Sequence, residues 1–179
     1  GLSMLTLVMG LAAALGIREA SGLKAEIKWP NDVVHGGKKL CGILTELSLK
    51  GNFVVIGIGI NVNTEQFPEE LRSRASSLYR ELGRKISREG TAAAVLAEFF
   101  RRYRRFLETE DLKLLREDYD RLLVNRGRHV RVLDLKDPFE GTALGISDQG
   151  ELLVRREDTG GTEAVFAGEV SVRGVYGYV

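Results

Sequence analysis

The opening run, Gly1 to Ile17, carries no charged side chain and is rich in Leu, Ala and Met. Such a run falls at the lower limit of what crosses a bilayer, about 17–25 residues, and it lacks the basic flank of a signal peptide. A buried helix ending near Gly16 accounts for it better, and no membrane contact is expected. Strand patterns follow at Ala25 to Lys28, on either side of Gly36-Gly37, from Lys39 to Leu49, and from Phe53 to Val62, with turn chemistry at Lys50-Gly51-Asn52. Two glycines between apolar runs permit the positive φ angles of a two-residue hairpin turn. With that turn His35 faces Lys38, Val34 faces Lys39, Val33 faces Leu40 and Asp32 faces Cys41. Alternation then sets Asp32 and Lys39 on one side of the ribbon as diagonal neighbours, roughly 7–8 Å apart at Cβ. At least three antiparallel strands with a helix against one face make an α+β layer, not a βαβ series.

From Glu65 to Ser87 the chain is polar, with Phe67, Leu71, Leu78 and Leu82 as anchors. Ala92 to Leu107 has helical spacing, presenting Ala92, Val95, Leu96, Phe99, Phe100, Tyr103, Phe106 and Leu107 to a core. Arg101, Arg102, Arg104 and Arg105 take the other side, which reads as a solvated face. A second helix is predicted over 111–124, burying Leu112, Leu115, Tyr119, Leu122 and Leu123. Beyond Arg126 short strands at His129–Leu133, Phe139–Ile146, Leu152–Arg156, Ala164–Ala167 and Val170–Val175 alternate with turn residues, the texture of a small barrel. The boundary is placed near Asn125, giving an α+β domain over 1–125 and a barrel domain over 126–179.

Composition narrows the choice of partners. In 179 residues, 26 Lys and Arg face 25 Asp and Glu, so no global basic field draws the segment to nucleic acid. Cys41 is the single cysteine, which excludes a disulfide within the chain and points to a reducing cytoplasm. His35 and His129 lie too far apart in sequence to suggest a metal site.

The densest chemistry is Lys28-Trp29-Pro30-Asn31-Asp32, followed by Lys38-Lys39-Leu40-Cys41-Gly42-Ile43-Leu44. This stretch resembles the K-W-P-N-D … K-[LI]-x-G-[IL]-L signature of biotin protein ligases. Val54-Val55-Ile56-Gly57-Ile58-Gly59-Ile60-Asn61-Val62-Asn63 and Gly168-Glu169-Val170-Ser171-Val172-Arg173-Gly174 match further family elements in the family's order. The resemblance implies a mostly antiparallel, class II aminoacyl-tRNA-synthetase-like catalytic core followed by a Src-homology-3-like barrel. It implies a ligase that activates biotin with ATP and Mg²⁺ as biotinyl-AMP, then transfers it to a lysine of a biotin carboxyl carrier protein. A homodimer is compatible with it. One family element is missing: the Gly/Arg-rich G-R-G-R-x-G-R-like loop upstream of the signature. Asn125-Arg126-Gly127-Arg128 is its only echo and reads as a linker. The expectation is therefore the C-terminal portion of a catalytic core, and the missing loop puts activity by this chain alone in doubt. A lipoate or other acyl ligase of the same superfamily, and a non-catalytic module that binds a carrier or subunit, remain as alternatives.

Joining a carboxylate to an amine through an adenylate requires a fixed cation between the carboxylate and the α-phosphate. The resemblance gives that role to Lys39; by itself the residue also reads as a solvent-facing lysine beside a turn. It makes Asp32 the hydrogen-bond acceptor for the incoming lysine, with an Asx-type turn contact as the alternative. Gly57, Gly59 and Asn61 share one strand face, and two glycines there leave bare backbone on which a flat ring can lie, unless they mark a bulge. The resemblance places Gly42, Leu44, Gly57, Ile58 and Gly59 with Lys39 around biotin, and Lys28, Asn31, Asn61, Glu169 and Arg173 around ATP. Cys41, with no histidine on its side of the ribbon, reads as a buried structural thiol.

Overall fold

The computed structural model describes residues 2–48, 50–134, 137–167 and 171–174, with residue 2 and residues 171–174 through the main chain only. The elements in chain order are α1 (Leu2–Ser21), β1 (Glu26–Lys28), β2 (Asp32–His35), β3 (Lys38–Ser48), β4 (Phe53–Ile60), α2 (Leu78–Leu82), α3 (Arg88–Thr109) and α4 (Arg116–Leu122), then β5 (His129–Leu133), β6 (Phe139–Ile146), β7 (Leu152–Arg156), β8 (Thr162–Val165) and β9 (Ser171–Gly174). Among the described residues the strands form two antiparallel sheets, ordered β1-β2-β3-β4 and β8-β7-β6-β5-β9. The α+β reading therefore stands. β5, β6 and β7 have the bounds expected from the sequence, whereas β8 begins two residues before Ala164.

Helix α1 is apolar on every side over residues 7–14, where every side is covered, the condition under which such a helix belongs to a core. Leu7, Leu11, Ala12, Ala13, Ala14 and Ile17 have no exposed surface. Gly10 lies over Ile27 and Ile43 of the first sheet, Gly16 abuts Val95 of α3, and Leu7 and Met4 meet Gly150 in the turn between β6 and β7. Length and composition alone would let this helix cross a membrane, but 61% of it is buried inside the fold.

The expected end at Gly16 is incorrect: the helix continues to Ser21. Gly22, at φ +78° and donating to Arg18 O at 2.9 Å, supplies the left-handed stop. Gly16 has a different task. A Cβ there would fall 2.6 Å from Val95 Cα and N, so α1 and α3 cross with their backbones in contact.

A crossing that close covers only a narrow stripe of α3, and the sequence reading overestimated its width. Val95 and Phe106 are buried and Phe99 and Tyr103 pack beside them, but Leu96, Phe100 and Leu107 are 51%, 59% and 53% exposed. Buried instead are Thr91 and Glu98. Glu98 binds Arg101 and, at 3.0 Å, Arg102, so part of the arginine face is paired inward and not simply solvated. The second predicted helix shortens to α4, its Leu112–Leu115 portion forming turns, although all five expected apolar anchors are buried. In the preceding segment Phe67 and Leu78 are buried, but Leu71 is 42% exposed.

The two sheets share one core. Trp29, 1% exposed, follows β1 and joins Pro30 through a cis peptide; its indole donates to Gly150 O and its main-chain N–H donates to Asn125 Oδ1, both at 3.0 Å. Asn125, read from sequence as the start of a linker, is thus a buried clamp on the signature segment. Asp120 accepts from Ile146 N at 2.9 Å, and Leu112 N donates to Asp148 O at 2.8 Å.

Gly16→Val tests the helix crossing. The added side chain must push α3 away, and a loss of about 1–3 kcal/mol in urea unfolding is expected; unchanged stability would show that the helices are not in backbone contact.

Candidate active site

The site begins at the hairpin. Gly36 and Gly37 have φ of +54° and +77°, the pair of positive angles that the two-residue turn demands. His35 pairs with Lys38 and Val34 with Lys39 as expected, but the register then slips: Val33 faces Cys41 and Asp32 faces Gly42. Leu40 is the additional residue of a β-bulge, so the predicted pairings Val33–Leu40 and Asp32–Cys41 are corrected by one position.

Lys39 stays in the ladder opposite Val34, at a non-hydrogen-bonded position whose main chain points away from β2. Its N–H donates to Arg74 O at 2.8 Å and its carbonyl accepts from Ser76 N at 2.9 Å, so the loop at residues 74–76 clamps this residue from outside the hairpin. The ammonium then folds over Gly42 to Asp32, with Nζ 2.5 Å from Oδ1. A Cβ on Gly42 would lie 2.9 Å from that Nζ, so the glycine keeps the path of the lysine clear. Acid and base do meet in one space, through the tips of their side chains. Lys28 stands opposite Asp32 across β1 and β2 and is 7% exposed, a buried lysine and not a surface one.

Beyond Gly42 the same face continues as a floor. β3 and β4 pair without a break, Gly42 with Gly59 and Leu44 with Gly57. No bulge explains the two glycines, and neither has a positive φ. Nor does packing, since a Cβ would approach only Leu44 O at 3.6 Å from Gly57 and Gly42 O at 4.0 Å from Gly59. Their missing side chains leave open space above bare backbone, and Leu44, 63% exposed, stands beside it. Ile58 pairs with Ile43 on the opposite face and packs against the core, so only its main chain borders the floor.

The two amides serve the scaffold. Asn31 Nδ2 donates to Ile43 O at 3.0 Å while its main-chain carbonyl accepts from Ile43 N, and Asn61 Nδ2 donates to Ser76 O at 3.2 Å. A cleft of about 270 Å³ opens where Asn31 and Leu44 approach Ser3, Thr6 and Ala167. Arg173 lies in β9 opposite Arg131, with its side chain outside the description; Glu169 lies outside the described residues. The 74–76 loop was missed from the sequence, because its contribution is main chain and carries no residue signature.

Two family models match the chain: "Biotin/lipoate A/B protein ligase family" over residues 1–63 and "Biotin protein ligase C terminal domain" over residues 127–173. A solved structure of biotin protein ligase from Aquifex aeolicus, in complex with biotin and ATP, superposes with a TM-score of 0.87 at 32% identity, covering 97% of this chain and 72% of that one. The chain belongs to the biotin protein ligase family. Among curated biotin ligases, the bifunctional ligase/repressor BirA of Bacillus subtilis is 39% identical over 175 residues, covering 94% of this chain and 52% of the relative. The biotin–[acetyl-CoA-carboxylase] ligase of Mycobacterium tuberculosis is 39% identical over 147 residues, covering 80% and 52%. The chain thus spans about half the length of the curated biotin ligases it matches. The mixed helix and antiparallel-sheet architecture is that of the biotin protein ligases, and the C-terminal sheet corresponds to their Src-homology-3-like domain.

Cys41, 1% exposed behind this ligase-family hairpin, is held as a thiol: burial first, then the Asp32 carboxylate, push its pKa from 9.0 up to about 12, against the opposing pull of Lys39. A raised pKa favours the protonated folded state, so this contribution is complete below pH 9 and is lost as pH rises toward 12. Iodoacetamide at pH 8 is expected to leave the folded protein unlabelled and to alkylate it only in denaturant; rapid labelling of the native chain would contradict the burial.

Proposed function

We propose that this chain is the biotin- and nucleotide-binding portion of a biotin protein ligase, which joins biotin and ATP into biotinyl-AMP with release of pyrophosphate and then passes the biotinyl group to a lysine of a biotin carboxyl carrier protein, releasing AMP. The observation that carries this is the glycine floor: Gly57 and Gly59 are required by neither the backbone nor the packing, yet they lie beside a cation held in place by the clamped main chain of Lys39. A fused flat ring system laid on Gly42, Gly57 and Gly59, with Leu44 beside it, would bring its carboxylate toward the Lys39 ammonium.

The chemistry follows from charge. A carboxylate attacking an α-phosphate meets like charge, and an ammonium fixed between them stabilises both the approach and the transition state. Asp32 holds that ammonium at rest. When the carboxylate and phosphate take over the lysine, Asp32 is released to accept a hydrogen bond from the incoming amine, whose lone pair must face the acyl carbon. Lys28, behind Asp32, adds positive charge for the triphosphate, and Asn31 and Asn61 border the nucleotide from the edges of the floor; the family resemblance adds Arg173 and Glu169 of the C-terminal domain to the nucleotide's contacts. Mg²⁺ enters with ATP as part of the substrate. We place the domain division at 125/126 and the protein in the cytoplasm, the latter from its single, buried thiol.

Because the name of the matching family model includes lipoate ligases, the test compares both acyl groups. Titration calorimetry with non-hydrolysable biotinyl-AMP and lipoyl-AMP analogues is expected to show preference for the biotinyl compound, with at least a tenfold loss of affinity in Lys39→Ala. Gly59→Val should also lose binding while unfolding at the same or higher denaturant concentration, since valine suits a strand better than glycine. Preference for the lipoyl compound, or full binding by both variants, would overturn the assignment.

A further inference from the structure

The outward face of the C-terminal sheet gathers a second group of side chains that has no part in the chemistry above. His129 opens β5, Glu140 stands in β6 opposite Arg131, and Glu157 follows β7, its main-chain N–H donating to Glu140 O at 3.1 Å. The three come from successive strands onto one patch. His129 Nε2 lies 2.8 Å from Glu157 Oε1 and 3.8 Å from Glu140 Oε2, and one ligand atom from each residue falls within 4.8 Å of the other two.

We propose that His129, Glu140 and Glu157 form a binding site for a divalent transition-metal ion of the zinc class. Zinc bonds of ~2.0–2.2 Å to nitrogen and oxygen in a tetrahedron require neighbouring ligand atoms about 3.3–3.5 Å apart. The two histidine–glutamate separations, 2.8 and 3.8 Å, lie on either side of that value, so side-chain rotation alone closes the site.

The arrangement has further features of a metal centre. Glu140 divides its two oxygens: Oε1 takes Arg131 Nε at 2.6 Å and Nη2 at 2.5 Å, while Oε2 is the atom nearer His129. A ligating carboxylate whose other oxygen is held by a cation is oriented before the metal arrives. One imidazole and two carboxylates carry two negative charges, offset in part by Arg131, and the nitrogen donor selects zinc-like ions over magnesium or calcium. The side chains of His129, Glu140 and Glu157 are 31%, 36% and 61% exposed, leaving the fourth position to water. From sequence the two histidines were judged by their distance from each other; the partners of His129 are carboxylates, brought together only by strand pairing. An ion held there would pin β5, β6 and the end of β7 together, a structural function separate from the Lys39 site.

Calorimetric titration of the whole chain with ZnCl₂, and separately with MgCl₂, tests the site. One zinc per chain is expected, with at least a tenfold loss of affinity in both His129→Ala and Glu157→Gln, no change in His35→Ala, and no heat from magnesium. Zinc should also raise the thermal midpoint of the parent chain but not that of His129→Ala. Circular dichroism confirms that the variants are folded. No heat from zinc, or equal binding by His129→Ala, would overturn the proposal, the latter by assigning the ion to Cys41 or His35.

Discussion

Trp29 is the residue on which the relation of site to scaffold depends. Its indole reaches the carbonyl of Gly150 in the turn between β6 and β7, and its main-chain N–H reaches the side chain of Asn125 where the helices end. A buried indole that lost its acceptor would leave an unpaired N–H in the core, a cost of roughly 1–3 kcal/mol, so these bonds hold the signature turn in a fixed position. Residues 30–32 follow directly, and through them the placement of Asp32. The C-terminal sheet thereby acts as part of the foundation of the hairpin.

The pairing of Lys39 shows how strand geometry can position a side chain. Opposite Val34 the N–H and C=O of Lys39 point away from β2, so the hairpin leaves them for the 74–76 loop to hold. With its main chain fixed, the side chain reaches across the sheet from a set origin. Gly42 completes the arrangement by leaving the volume that the lysine crosses.

Much of this was legible in the sequence, and the exceptions have physical reasons. The hairpin turn was readable because Gly36-Gly37 has few other uses, and β5 to β7 because turn residues bound each run. The bulge was not, since Leu40 is one apolar residue within an apolar strand and nothing local marks it as additional. Gly16 looked like a helix stop because a glycine in a helix has two meanings, and only the position of Val95 decides between them. The stripe on α3 was overestimated for the same reason: periodicity states which side faces inward, but the depth of the crossing sets how much is covered. Glu98 could not have been recognised as buried before Arg102 was seen folding over it. The glycine floor was readable as an anomaly, and the regular β3–β4 pairing removed the bulge as its explanation.

One feature of the first sheet bears on how the chain behaves in concentrated solution. Among the described residues β4 pairs only with β3, and Phe53, Val55, Leu44 and Leu47 are all at least half exposed around it. Strand edges of this composition, with unsatisfied N–H and C=O groups framed by apolar side chains, serve as templates on which further strands add. Leu44, Phe53 and Val55 share the face of the glycine floor, so the surface open to a ligand is continuous with the one that a further strand would cover.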